Sequence, residues 1–322
     1  MDCPALDAWT EPASKLARAP HYVLHRALAA LQAQGLAWRQ LPAPGRRAPA
    51  AAPRDPAPLA VLHVDLSVVP PACQPPPGLY ASTLNAAALD IRRTRYTQAR
   101  LLPGAAWRGP VIVKSVLNHR GLPEHVHRRH VEAGYRWRQR LLRLLGIDAT
   151  ARACPPYAIY DCPDEVPPRT WDDPGLLVER FLPGVLELPV VKHRWDFLLD
   201  VEVRKRSTFS TLRCEPGSAL DVVPFGEVPA PVARVRRELG LELGSIDFFM
   251  VDGEAVVVDA NKTTTTDETL EQRFPFVARF MAEVGERVVA AVRAGRWHAP
   301  APRCAPAGPD AGAAPQGAAG TR

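Results

Sequence analysis

The sequence predicts an α+β chain with a small α/β lobe at its N-terminus, a strand-rich region beyond it and a low-complexity tail. Three observations carry this expectation. Leu59 to Leu66 (LAVLHVDL) is an almost wholly apolar run of strand length, the pattern of a strand buried on both faces. It follows a segment in which Leu24, Ala27, Leu28 and Leu31 recur at helical spacing. Beyond about Thr150, short β-branched and aromatic runs replace that periodicity, and two of them flank Asp252-Gly253, a strong hairpin signal. With 322 residues, 47% of them hydrophobic and 23% charged, a disordered or collagen-like chain is excluded.

A first helix is expected from about Pro20 to Gln34, with Gly35 as its stop, followed by an extended segment from Leu36 to Leu41. Pro42 to Pro58 is a Pro-rich loop. A helical region near Ile91 to Leu101 leads to the strand GPVIVKS, Gly109 to Ser115. Pro123 opens the next helix, which sets Val126, Ala133, Trp137 and Leu141 on one face before Gly146 stops it. Strands are then expected at Tyr157 to Tyr160, Leu176 to Phe181, Phe197 to Val203 and Thr208 to Arg213. A helix from about Val232 to Leu239 precedes the hairpin strands, Ser245 to Val251 and Ala255 to Asp259. A final amphipathic helix runs from about Phe276 to Ala294. From Ala299 onward 18 of 24 residues are Ala, Pro or Gly, which reads as a disordered tail.

The formal net charge of +6 is modest and does not call for a nucleic-acid or membrane partner. The basic residues divide as 35 Arg and five Lys, at 15, 114, 192, 205 and 262, so each surviving Lys invites a role that Arg performs badly. No apolar run approaches the roughly 18 residues of a membrane span. The six cysteines form no C-x-x-C pair and no secretory signal pattern is present, so reduced thiols in a cytoplasmic protein are expected.

The chemistry gathers at three places. Asp247 stands near the start of one hairpin strand, while Asp259 and Asn261 stand two apart at the end of its partner and share a face. Two carboxylates and an amide carbonyl suit a hard cation such as Mg²⁺. Lys114 ends a β-branched strand beside a loop with Gly121, where a compact ammonium can reach a phosphate oxygen. LLVERFLPG, Leu176 to Gly184, is an apolar strand breaking into an extended segment, whose backbone and Glu179 can meet an adenine edge.

In this order the three resemble the ATP-grasp superfamily, which includes glutathione synthetase, D-alanine–D-alanine ligase and the RimK-type ligases. The resemblance covers roughly Asp90 to Ala294. It implies two α+β lobes clasping a nucleotide, with a preceding lobe over residues 1–89, an ATP-grasp domain over 90–297 divided near 175, and the tail over 298–322. It also implies ATP with two Mg²⁺ ions, Mn²⁺ being the alternative metal. Carried over by position, Lys114 and Arg93 (or Arg92, where many members have Lys) meet phosphates. Glu179 and the backbone of Arg180 and Leu182 meet adenine, Glu187 is the candidate for the ribose, and Asp247, Asp259 and Asn261 hold the metals. Arg204, Arg206 and Arg213 are candidates for the γ-phosphate and the tetrahedral intermediate, and Lys262 for the terminal phosphate or a substrate carboxylate. Departures from the family pattern are Asp259 where Glu is usual, Leu186 where the ribose acid is usual, and four threonines after Lys262.

The function this implies is an ATP- and Mg²⁺-dependent carboxylate–amine or peptide ligase working through an acyl phosphate, on a small-molecule or peptide substrate. A small-molecule kinase on the same fold and a non-catalytic nucleotide-binding protein are the alternatives. The basic region from His119 to Arg143 reads as a solvated helix face, since no Cys or carboxylate completes a zinc set beside His127 and His130.

Overall fold

The computed structural model describes residues 4–43, 52–186, 188–212, 214, 219–266 and 268–298. The predicted tail from Ala299, Glu187 and Arg213 lie outside the described residues, as does the middle of the Pro-rich loop.

The N-terminal lobe is built on four parallel strands. β1 (Leu6–Thr10) is followed by α1 (Val23–Ala33), β2 (Trp38–Pro42), β3 (Leu59–Leu62) and β4 (Ser82–Leu84), in the spatial order β2-β1-β3-β4. β1 lies at the centre and was not expected, because Asp7 interrupts its apolar run. That carboxylate is buried at no unmet cost: Arg39 donates two hydrogen bonds of 2.9 Å, and the Ala57 amide and Tyr80 hydroxyl add two more.

A second, three-stranded antiparallel sheet has the order β6-β5-β7. β5 (Val111–Ser115) leads to α2 (Leu122–Val131), α3 (Ala133–Leu144) and α4 (Ala149–Ala153). β6 (Ala158–Tyr160), α5 (Pro168–Trp171) and β7 (Leu176–Arg180) follow. The expected helix at 91–101 is a single 3₁₀ turn, Arg93–Arg95. The expected helix after Pro123 breaks at Glu132, whose ψ of 117° is extended. Its predicted apolar face is also not buried: Trp137 is 67% and Leu141 42% exposed.

The largest sheet is antiparallel, β10-β9-β8-β11-β12. It comprises β8 (Val190–Leu198), β9 (Val201–Phe209), β10 (Ala219–Pro224), then α6 (Ala230–Glu238), β11 (Leu243–Val251) and β12 (Glu254–Asn261). The expected strand Phe197 to Val203 covers the end of β8 and the start of β9 but is broken by a turn between them, with Leu199 at φ +55°. One face of this sheet packs Trp195, Phe197, Ile246, Phe248, Val257 and Ala260 with α6. The described residues end with α7 (Glu268–Arg273), α8 (Pro275–Ala294) and a short segment to His298, and α8 lies against α1 in a core shared with β1 and β3. No helix among the described residues is long and apolar enough to cross a membrane.

Candidate functional site

Parity in the large sheet separates the site from the core. Residues alternate faces along each strand, so Trp195 and Phe197 facing α6 turn Lys192, Arg194 and Asp196 to the other side. Cross-strand register then adds Lys205 and Ser207 from β9, Asp247 and Ser245 from β11, and Asp259 and Asn261 from β12. The β11–β12 hairpin turns at Asp252 (φ +50°) and Gly253 (φ +82°), the left-handed pair that a two-residue hairpin of this hand needs. Its register places Asp247 directly opposite Asp259, and Ser245 opposite Asn261. Val258 is the extra residue of a bulge that re-aims the end of β12. Asn261 Nδ2 donates to Asp259 Oδ2 at 3.0 Å, while its own Oδ1 accepts from Asn118 at 3.2 Å.

Three cations neutralise the two carboxylates. Arg93, itself buried, lies 2.9 Å from Asp259 Oδ1, and the Tyr96 hydroxyl donates to the same oxygen at 3.3 Å. Burial acts to raise the Asp259 carboxyl, but Arg93, His119 and Lys114 hold it below the usual carboxylate range. Asp247 pairs with Lys192 at 3.3 Å and Arg194 at 3.4 Å. Arg194 also bridges to Asp196 at 3.0 Å, which Lys205 meets at 2.7 Å.

The small sheet supplies the other half. β5 and β7 pair Ile112 with Glu179, and Lys114 Nζ reaches Glu179 Oε2 at 2.6 Å. Glu179 is fully buried, and its Oε1 has no hydrogen-bond partner among the described residues. An orphaned buried carboxylate oxygen is costly unless a donor is supplied to it, so this atom suits an exocyclic amine. The neighbouring backbone is less open than expected: the Arg180 amide is spent on the Ala99 carbonyl at 2.8 Å. Leu182 is buried with Ala99, Val190 and Phe249.

No family model matches this chain, and no curated protein does. Solved structures similar to it include a RimK domain ATP-grasp protein from Sphaerobacter thermophilus, 15% identical over 87% of this chain and 99% of that one, with a TM-score of 0.44. ATP-grasp ligase PsnB complexed with a minimal precursor is 11% identical over 89% and 99%, with a TM-score of 0.47. Macrocyclase MdnC from Microcystis aeruginosa, bound with precursor peptide MdnA, is 10% identical over 88% and 99%, with a TM-score of 0.43. The first two of these structures are of ATP-grasp proteins. All three scores lie below 0.5, so the roles of single residues rest on this chain's own geometry.

That geometry brings Lys114 and Glu179 of the small sheet, Asp247, Asp259 and Asn261 of the large one and Arg93 of the 3₁₀ turn to one place. It does not bring Arg204: on β9 it points to the opposite face, where it pairs with Glu202 at 3.4 Å and donates to the Gly226 carbonyl. Arg206 shares that face, next to His193 across the strands. Lys262 is turned away from Asn261 by the same alternation; it is 2% exposed, and its ammonium donates to the Ala88 carbonyl at 3.2 Å. Lys192, Arg194 and Lys205, which carried no expectation, take the places foreseen for Arg204. A signal existed for two of them, since Lys192 and Lys205 are among the five lysines of an arginine-rich chain.

Two carboxylates and an amide form a donor set suited to a hard divalent cation. Among the described residues no three His, Cys, Asp or Glu side chains gather as a metal cluster, so such a cation would complete its shell with ligand or water oxygens. Beside Asp247 opens a cavity of about 580 Å³, lined on the sheet side by Lys192, Arg194 and Lys205. Its other wall is formed by His21, Arg26, Thr265, Thr266 and α7. The threonine run is anchored there by a bridge between Tyr22 and Thr265, and Thr264 Oγ1 donates to Asp196 at 2.8 Å.

Proposed function

We propose that this chain is an ATP- and Mg²⁺-dependent ligase that joins a carboxylate to an amine through an acyl phosphate. The observation that carries the reading is the placement of Asp247, Asp259 and Asn261 on one sheet face, next to the Lys114–Glu179 pair of a second sheet, with a cavity of substrate size lined by Lys192 and Arg194, the ion-pair partners of Asp247. Glu179 Oε1 would accept from the adenine amine. Lys114 and Arg93 would meet the phosphates, with Arg93 exchanging its contact with Asp259 for one with the nucleotide. Asp247, Asp259 and Asn261 would hold the metal, which when bound offsets charge on the transferring phosphoryl group.

In this reading a substrate carboxylate oxygen attacks the γ-phosphorus and ADP leaves. An amine then attacks the acyl carbon and expels phosphate, giving an amide. The protein's share is positioning and electrostatics, and no side-chain nucleophile is required. Lys192, Arg194 and Lys205 stand where the oxygens of the acid would enter. Calorimetry of the wild-type protein with Mg·ATP is expected to show saturable binding. Asp247→Asn is expected to lower Mg²⁺-dependent ATP turnover by about 100-fold or more while leaving the circular dichroism spectrum unchanged. Absence of Mg·ATP binding by the wild type overturns the reading, and a phosphorylated product without amide formation replaces it with a kinase.

A further inference from the structure

The cavity beside Asp247 carries cations on two walls, more than one reacting carboxylate requires. On the sheet wall Lys192 and Arg194 are 22% and 23% exposed, whereas their acidic partners Asp247 and Asp196 are buried behind them. The second wall repeats the arrangement. Arg26 faces the cavity with Glu271, the more buried of the two, 2.6 Å away. Arg273, at the exposed end of α7, has no carboxylate partner among the described residues; its guanidinium lies 5.3 Å from the Phe274 ring. Glu268 is the one acidic residue among the described lining residues. Apolar surface from Phe209, Val222 and Leu270 also lines the space. Cations backed by buried acids keep their charge while presenting hydrogen-bond donors inward, which favours an anion with two charged ends and an aliphatic middle.

We infer that the acid bound here is a dicarboxylate, or a peptide end with two carboxylates, one held at Lys192 and Arg194 and the other at Arg273. The inference rests on the ligase reading of the same site and adds its substrate class. A volume of about 580 Å³ fits a small acid or a short peptide end.

The test is calorimetry on the full chain, with Mg²⁺ and a non-hydrolysable ATP analogue at saturation. Glutarate and adipate are titrated against pentanoate and hexanoate, their monocarboxylate counterparts of equal length. Each diacid is expected to bind roughly tenfold more tightly than its counterpart. Arg273→Gln, an exposed substitution that leaves the core untouched, is expected to erase that preference. Equal affinity for mono- and dicarboxylates, no binding of any of them, or a preference that survives in the variant overturns the inference. Diacid binding that appears only when the nucleotide analogue is left out does so as well, since it assigns the cations to ATP phosphates. Binding of the analogue alone is measured first: its failure removes the ligase reading and this inference with it, whereas nucleotide binding without diacid preference sinks the inference alone.

Discussion

At the residue scale the least conventional group is Lys262. It stands next to Asn261, which invites a role at the phosphates, yet strand alternation sends its side chain into the junction with the N-terminal lobe. Burial lowers its ammonium to about 8, against the pull of Glu124, Asp65, Asp90 and Glu11. Glu11, buried with Asp65 nearby, is itself pushed up to about 7. In the unfolded chain Lys262 titrates near its ordinary value of 10.5, so folding releases its proton between about pH 8 and pH 10.5. Stability therefore rises with pH across that window, and below it the charged form carries a cost. Thermal melts of the wild type and of Lys262→Met are expected to diverge by pH: the wild type gains relative to the variant from pH 8 to 10. A constant difference between the two would show that Lys262 stays protonated in the fold. The sequence could place Lys262 beside the metal set; only the parity of β12, fixed by the Asp247–Asp259 register, shows which way it faces.

At the scale of elements, what was legible followed turn chemistry. The β11–β12 hairpin announces itself through Asp252-Gly253, and with it came the facing carboxylates. The β8–β9 hairpin turns at Leu199 and Asp200 with no Gly, Pro or Asn to mark it, so the chain reads as one continuous strand through Val203. That error hides the parity of β9 and explains why Arg204 looked like a site residue and Lys205 did not. Gly244 is similarly silent in sequence, an isolated glycine within an apolar strand. In the fold a Cβ there would overlap the Asn261 carbonyl oxygen, a backbone atom that can move only if β12 moves. Gly244→Ala is expected to cost about 1–3 kcal/mol in denaturant unfolding. Because the displaced residue is Asn261, Mg·ATP affinity is expected to fall with it, by calorimetry on protein kept well below its unfolding midpoint. Unchanged affinity would mean that the amide is not part of the binding set.

At the scale of the molecule the two ends of the described chain meet. Trp297, just past α8, is fully buried, and its indole donates to the Ala60 carbonyl at 2.8 Å. Gly285 of α8 lets Ala30 of α1 approach so closely that an added Cβ would lie 2.9 Å from the Ala30 methyl. The same core takes in Leu6 and Leu59 from the N-terminal sheet, Leu198, Val203 and Leu243 from the large sheet, and Val284 and Val288 from α8. A core drawn from both ends couples the N-terminal lobe to the sheet that carries Asp247, so the cavity wall at Arg26 and the wall at Lys192 are held by one packing unit. Trp297→Ala is expected to cost about 3–5 kcal/mol. Trp297→Phe keeps much of the ring and leaves the Ala60 carbonyl without its donor, at about 1–3 kcal/mol. If one unit is present, hydrogen exchange in both variants accelerates together in β1, β3 and α8, by a similar factor at each. Acceleration confined to α8, with β1 and β3 protected as in the wild type, would show that the N-terminal lobe folds on its own and that the two walls are joined only through the chain.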